Sequence, residues 1–461
     1  MTNTGTGALL AWRPELGGGA PVYAQIVEAL AADIGRGALT AGTRLPTQRG
    51  LAERLGIGLG TVTRAYAEAE GRGLIEAVVG RGSFVASAAA PETDGPIDLS
   101  RNLAPMEPAR GSLRAVVAAV ARRPDLVQRL DYAPDGGFEA DRQAGARWLR
   151  VCAGFADADA RRLIVTAGAQ QALAMAMNAI CRPGDALILE PATFHGAKLA
   201  ASQAGLRLVA AAMDAEGVTP EAFDRAAAES GARAAYLQPF QNPTARVMSL
   251  GRRRDIIDVA RRRGVIIIED DLYGPHVADL GLPPLAQLAP EQVAYVSGLT
   301  KSVAPGLRFG LLSPPDALRE AVLEVQRTIA FGSPSLGAAI ATQWIEGGEA
   351  FAVLAAARAE LARRTTLAMG VLGGLVEPVR HQGASHLWLP LAELEAERVA
   401  SQALRAGVLV TPPTAPFLPG VPVDGLRICL GAAADVKSLE RGLAAVRDAA
   451  RADRTHGGNV V

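Results

Sequence analysis

Four short apolar runs, Leu163-Ile164-Val165, Ala186-Leu187-Ile188-Leu189, Ala234-Ala235-Tyr236-Leu237 and Val265-Ile266-Ile267-Ile268, recur between stretches of helical periodicity. Each is too short for a buried helix and carries no charge to face water, so each reads as a strand covered on both faces. Covered strands alternating with helices over residues 99–450 point to an α/β fold, a mostly parallel sheet with helices on both faces. In such sheets ligands bind beyond the carboxyl ends of the strands. Glu269-Asp270-Asp271 directly follows the run that ends at Ile268 and falls at that edge.

A chain of 461 residues is too long for one small core and predicts two or three domains. The 49% hydrophobic content supports a large folded body. No stretch reaches the ~20 uncharged apolar residues of a membrane span. Residues 1–19 show no basic end followed by an apolar core, so a cytoplasmic location is expected. Cys152, Cys181 and Cys429 form no metal-ligand spacing; they read as small buried hydrophobes, and no metal is expected. With 47 basic and 47 acidic residues, whole-chain charge argues neither for nor against a nucleic-acid partner.

The segment before residue 99 has a different rhythm. Residues 1–19 read as a flexible N-terminus. Tyr23, Ile26, Val27, Leu30 and Ile34 recur at helical spacing. Pro46 places a second short helix with Leu51, Ala52 and Leu55 inward and Gly56 as its stop. A third helix from Leu59 to Glu70 turns Val62, Ala65, Tyr66 and Ala69 inward, and Leu74 to Val85 reads as two strands turned at Gly80-Arg81-Gly82. Three helices followed by a two-stranded wing make an α+β winged helix-turn-helix over residues 20–87. Residues 88–98, with Pro and Gly and no apolar period, read as a linker. The body then spans 99–450, and 451–461 is a flexible tail.

The run LPTQRGLAERLGIGLGTVTRAYAEAEGRGLIEAVVGRGSFV closely resembles the DNA-binding domain of GntR-type regulators. That resemblance implies that the third helix enters the major groove with its N-terminal residues near base edges. Gly60, Thr61, Thr63 and Arg64 are then the candidate readers, with Arg49 from the second helix and Arg81 from the wing. Arginine forks suit guanine or phosphate, and threonine hydroxyls suit phosphate. Residues 1–87 hold eight Arg against seven Asp plus Glu, and no Ser or Thr caps the third helix. The bland alternative is a three-helix protein-interaction module.

Only three lysines occur, Lys198, Lys301 and Lys437, in a chain that otherwise uses arginine. Lys301 lies in a polar, turn-rich segment, Ser297 to Arg308. Unlike a guanidinium, its amine can lose a proton and form an imine with an aldehyde. Upstream, Thr166-Ala167-Gly168-Ala169-Gln170-Gln171 follows a strand and opens a helix, where backbone N–H groups attract phosphate. These features, with Glu190-Pro191-Ala192-Thr193-Phe194-His195-Gly196 and Gln238-Pro239-Phe240-Gln241-Asn242-Pro243-Thr244, fit one ligand, pyridoxal 5′-phosphate. Over nearly its whole length the second region resembles fold-type I aminotransferases, the pyridoxal-phosphate-dependent transferase fold with a small C-terminal subdomain.

The resemblance implies a role for each residue. Lys301 holds the cofactor as an imine and Asp270 pairs with the protonated pyridine nitrogen. Asn242 and Tyr273 reach the ring's phenolate oxygen, and Phe194 stacks on the ring. Ala169, Gln170, Thr300 and Arg308 serve the phosphate, and Tyr132 reaches the partner subunit's phosphate in a dimer. Arg427, in Gly425-Leu426-Arg427-Ile428-Cys429-Leu430, clamps an α-carboxylate by two parallel hydrogen bonds. Gly298 stands where the family has serine. Tyr273 keeps the spacing of ordinary aminotransferases, where many related regulators carry the tyrosine one residue earlier.

A GntR-like reader ahead of an aminotransferase-like body is similar to MocR-type regulators. That resemblance implies a head-to-tail homodimer on double-stranded operator DNA. It also implies that an amine or amino-acid effector displaces Lys301 as an external aldimine and so shifts the readers between two states. The alternative is a working transaminase, for which Lys301, Asp270 and Arg427 suffice.

Overall fold

The computed structural model describes residues 12–17, 19–36, 38–40, 42–78, 82–86, 95–379, 381 and 383–452. The expected flexible N-terminus before residue 12, the wing turn at 79–81 with Arg81, most of the expected linker and the tail from 453 lie outside the described residues. The chain divides into two compact units, Met1–Gly95 and Pro96–Val461.

In the first unit, helices α1 (Val22–Gly35), α2 (Gln48–Leu55) and α3 (Leu59–Gly71) surround a core of Ile26, Val27, Leu30, Leu51, Val62 and Tyr66. Thr47 caps α2 by accepting the Gly50 N–H at 3.1 Å, and Gly56 ends it in a left-handed conformation (φ 65°). Gly58 caps α3 with no side-chain bond, and the Tyr66 hydroxyl secures that helix by donating to Pro46 O at 2.8 Å. Strands β1 (Ile75–Val78) and β2 (Gly82–Val85) pair antiparallel with Ile75 opposite Val85, and Arg44 bridges to Phe84 on the outer edge of β2. This is a three-helix unit with a wing.

The second unit is built on seven strands: β4 (Ile164–Ala167), β5 (Ala186–Leu189), β6 (Arg207–Ala210), β9 (Ala234–Leu237), β10 (Ile266–Asp270), β11 (Val293–Gly298) and β12 (Phe309–Ser313). Between β6 and β9, β7 (Met213–Asp214) and β8 (Gly217–Val218) form a small hairpin. The sheet order is β4-β12-β11-β10-β9-β5-β6, with only β12 running antiparallel to its neighbours. The pleat sends Ile267, Ala235 and Leu237 into one core and Ile268, Tyr236 and Ala234 into the other, which explains the uninterrupted apolar runs. Burying each large aliphatic side chain there contributes about 1.5–3 kcal/mol.

A smaller C-terminal part packs β13 (His386–Pro390) antiparallel to β15 (Gly425–Cys429) and covers a third core with the helix Val436–Arg451. Strand β3 (Ile97–Leu99) pairs in parallel with β14 (Val408–Val410). β3 takes up Ile97 and Asp98, the last two residues of the expected linker, because Ile97 N–H bonds Gly407 O and its side chain packs on that core. Helices α4 (Glu107–Ala121), α5 (Glu139–Cys152) and α6 (Ala169–Ile180) follow in chain order, α6 opening immediately after β4. All three cysteines are buried thiols. Among the described residues no helix is long and apolar enough to cross a membrane.

Candidate functional site

The last residue of β10, Asp270, is buried on the face opposite its neighbours. Glu269 accepts the N–H groups of Leu285 and Ala286 at 2.8 and 2.9 Å, and Asp271 accepts the Tyr295 hydroxyl at 2.8 Å. Asp270 instead accepts the Tyr236 hydroxyl at 2.6 Å, with the Gln238 amide 3.4 Å away. Burial pushes the Asp270 carboxyl above the usual range, while the Tyr236 hydroxyl, the Leu272 N–H and the charge of Lys301 pull it back. Strand alternation thus singles out the middle acid of three.

Lys301 follows β11 in a turn. Its ammonium donates to Asn102 O at 2.6 Å, and its own carbonyl lies 2.7 Å from His276 Nε2. His276 is a neutral donor here, since burial lowers it to about 4. Burial first and the Arg427 guanidinium second lower the Lys301 amine to about 8, while Cys429 and Asp270 oppose them. An amine so shifted is partly unprotonated near neutral pH, the condition for attack on an aldehyde.

Arg427 lies on β15. It donates to Asn242 Oδ1 at 2.7 Å, to Ser100 O at 3.0 Å and to Thr411 Oγ1 at 3.0 Å. Since Arg427 takes Oδ1, the NH₂ group is the end of Asn242 that can donate to a ligand. The Tyr273 hydroxyl accepts from Asn102 Nδ2 at 2.8 Å. Asn102 thus joins Lys301 to Tyr273, Arg427 holds Asn242, and the charges of Arg427 and Asp270 both act on Lys301, although these five site residues come from β10, β15 and three separate loops.

The phosphate end is shaped by a close approach. Gly168 immediately precedes α6 at φ 80°, and a Cβ there would sit 2.5 Å from Arg308 Nη2. Arg308, itself left-handed at φ 51°, donates to Ala167 O at 2.9 Å. The guanidinium is thus laid across the start of the helix that carries the Ala169 and Gln170 N–H groups. The Gln170 side chain donates to Gly196 O at 2.7 Å, next to half-buried Phe194. The hydroxyls of Thr300 and Ser302 are buried with no protein partner. Ser297 is turned away, donating to Asp271 O at 3.2 Å. Gly298 has no room for a side chain: at φ 155° a Cβ would lie 2.5 Å from Phe309 O. Tyr132 is the outlier, 78% exposed with its ring 5.8 Å from that of Phe331.

Orphaned hydroxyls, a helix start crossed by a guanidinium, a low-basicity lysine and a buried carboxylate fit pyridoxal phosphate: Lys301 would meet its aldehyde, Asp270 its ring nitrogen, and Thr300, Arg308 and the α6 N–H groups its phosphate. Several participants escaped the sequence reading, namely Asn102, Tyr236, His386, Ser100 and Thr411. Tyr236 alone carried a signal, as the one hydroxyl in an otherwise apolar strand.

In the first unit, Arg49 and Gly60 are exposed and Thr61 is half-buried. Thr63 donates to Gln48 Oε1 at 2.9 Å, joining α3 to α2. The Arg64 guanidinium lies over the Tyr23 ring at 3.9 Å, so it is stacked on its own domain.

Comparison with known proteins agrees with this architecture. Residues 94–446 match the family Aminotransferase class I and II, and residues 22–85 match the bacterial regulatory proteins of the gntR family. The chain belongs to the aminotransferase class I and II family, with a GntR-type helix-turn-helix domain fused ahead of it in the MocR-like arrangement. Its cofactor class is accordingly pyridoxal phosphate. The HTH-type transcriptional regulator YdeF of Bacillus subtilis (strain 168) is 26% identical over 95% of this chain and 96% of its own length. The 2-aminoadipate transaminase of Thermus thermophilus is 27% identical over 68% of this chain and 81% of its own. Among solved structures, an archaeal alanine:glyoxylate aminotransferase superposes with a TM-score of 0.71 at 20% identity, covering 78% of this chain and 91% of its own. The α-aminoadipate aminotransferase LysN, also of Thermus thermophilus, gives 0.68 at 23% identity, covering 84% and 98%.

Proposed function

We propose that this protein is a pyridoxal-phosphate-dependent transcriptional regulator that binds operator DNA through its winged unit and senses an amino compound at Lys301. The supporting observation is the fusion of a GntR-type reader to a site in which the Arg427 guanidinium and the buried Asp270 carboxylate both act on the Lys301 amine. When bound, pyridoxal phosphate supplies an aldehyde that condenses with primary amines and a ring that withdraws electrons. The chain's own residues do the rest. Lys301 offers an amine of lowered basicity, Asp270 keeps a negative charge behind the ring, and Asn242 and Tyr273 address the ring oxygen. Arg427 offers its fork to a ligand carboxylate, and the effector is accordingly an amino acid or similar small amine.

Exposed apolar side chains on the second unit, Val127, Leu130, Tyr132 and Phe331, support a homodimer in which Tyr132 serves the partner's phosphate. Such a dimer would be head-to-tail and would carry two readers to paired half-sites. Arg49, Gly60, Thr61, Thr63 and Arg81 would meet the DNA, with Arg64 sharing itself between Tyr23 and the duplex. A DNA-reading role belongs to the cytoplasm.

The complete site also supports a second reading, a working transaminase. Tyr273 keeps the aminotransferase spacing after Asp270, and a transaminase is among the relatives. The test is a footprint on the DNA flanking the gene, with the visible spectrum followed as amino acids are added. A footprint that changes with ligand at negligible turnover supports the regulator. Full conversion of the cofactor with multiple turnovers and no specific footprint supports the enzyme. Lys301→Ala should lose the visible band of the bound cofactor with the fold intact, and an unchanged band would remove Lys301 from its role.

A further inference from the structure

Asn102 bridges the Tyr273 hydroxyl and the His386 ring, and the proposed function assigns no task to either Asn102 or His386. Asn102 Nδ2 lies 2.8 Å from Tyr273 Oη and 2.8 Å from His386 Nδ1. His386 Nε2 faces Gln241 O at 3.4 Å, and the Ser385 hydroxyl approaches Nδ1 at 3.2 Å. His386 is fully buried on β13 and Asn102 is 6% exposed. Asn102 Oδ1 has no protein partner.

The hydrogens in this cluster can be assigned from donors and acceptors alone. Gln241 O can only accept, so His386 carries its proton on Nε2. Burial first and the Arg427 charge second keep the imidazole neutral, its basicity held well below the ordinary value against the opposing bond to Gln241. A neutral ring protonated on Nε2 has a bare lone pair on Nδ1, which must face a donor. Asn102 therefore presents its NH₂ to His386, and the same NH₂ group gives its second hydrogen to Tyr273 Oη. A hydroxyl that accepts in this way directs its own proton elsewhere, and accepting strengthens it as a donor.

We propose that Asn102 and His386 are positioning residues that force Tyr273 to donate its proton to the ring oxygen of the cofactor beside the Lys301 linkage. This rests on the pyridoxal phosphate reading of the site. In the reversed amide orientation Asn102 Oδ1 would take the Tyr273 proton, and the ring oxygen would lose its donor. A donor at that oxygen stabilises its anionic form and so lowers the pH at which the linkage releases its proton.

The test is a spectrophotometric pH titration of the cofactor-loaded protein, reading the midpoint between the acidic and basic visible bands. Tyr273→Phe sets the full effect, an upward shift of about one pH unit, or tenfold in the protonation equilibrium. Asn102→Ala and His386→Gln should each move the midpoint in the same direction by a substantial part of that shift. Neither should move it further when combined with Tyr273→Phe. Asn102→Ser replaces the alanine variant if the latter loads poorly. Midpoints unchanged in the loaded, folded variants would overturn the proposal, as would shifts that add to Tyr273→Phe. Absence of any visible band in the wild-type protein would instead overturn the cofactor reading itself.

Discussion

The lowered basicity of Lys301 makes a quantitative prediction about how fast the protein captures its cofactor. Only the neutral amine attacks an aldehyde. With the amine near 8, roughly one molecule in ten is neutral at pH 7, against about one in three thousand for a lysine at the ordinary 10.5. Capture of pyridoxal phosphate by cofactor-stripped protein should therefore rise about tenfold per pH unit at first and bend to a plateau near pH 8. Stopped-flow absorbance in the visible range measures this directly. Burial is the larger cause of the shift and the Arg427 charge the second, so Arg427→Met should move the bend upward by a fraction of a unit to about one unit. A profile that climbs unbroken to pH 10 would refute the desolvated amine. A bend that ignores Arg427→Met would refute the electrostatic link between the two residues.

Gly168→Ala should displace Arg308 from the start of α6 and lower cofactor affinity at least tenfold in an equilibrium absorbance titration, with a backbone cost of about 1–3 kcal/mol visible as a lower Tm. Tyr236→Phe removes the hydroxyl donor from Asp270 and should raise that carboxyl further, so ring-nitrogen protonation weakens and the visible band moves in loaded protein. Arg129 and Asp141 form a fully buried ion pair that also holds the Thr342 hydroxyl, and Arg129→Ala should cost about 3–5 kcal/mol in urea unfolding of the second unit. Arg49→Ala should weaken DNA binding across sequences and reduce the salt slope by about one, as expected for loss of a phosphate contact.

What could be read from the chain alone was whatever is encoded locally. The strands at Ile164, Ala186, Ala234 and Ile266 were legible because burial on both faces leaves an unmistakable apolar run. The helices of the reader were legible because Pro46, Gly56 and the inward Val62, Ala65 and Tyr66 follow local rules of helix boundaries and periodicity. Lys301 stood out through its rarity and its turn-rich surroundings. Asn102, Ser100, Thr411 and His386 were not legible, because nothing near them in sequence marks them. Asn102 meets Tyr273 across 171 positions and His386 across 284, so only the closed fold creates those contacts. The stacking of Arg64 on Tyr23 belongs to the same class, since it depends on how α1 crosses α3. The reason for Gly298 also needed the fold, because the obstructing Phe309 carbonyl comes from the returning strand β12.

Glu269 and Asp270 at the end of β10, with Asp271 directly after it, make the length of that strand less negotiable than its composition. Ile266, Ile267 and Ile268 can trade places with valine or leucine at modest cost, since only volume is at stake. Removing or inserting a single residue is another matter, because it rotates the whole acidic triplet by half a pleat. The acid that anchors the helix Leu285–Leu288 would then face the opposite core, and Asp270 would abandon Tyr236. Natural drift can repaint this strand freely, but cannot re-measure it.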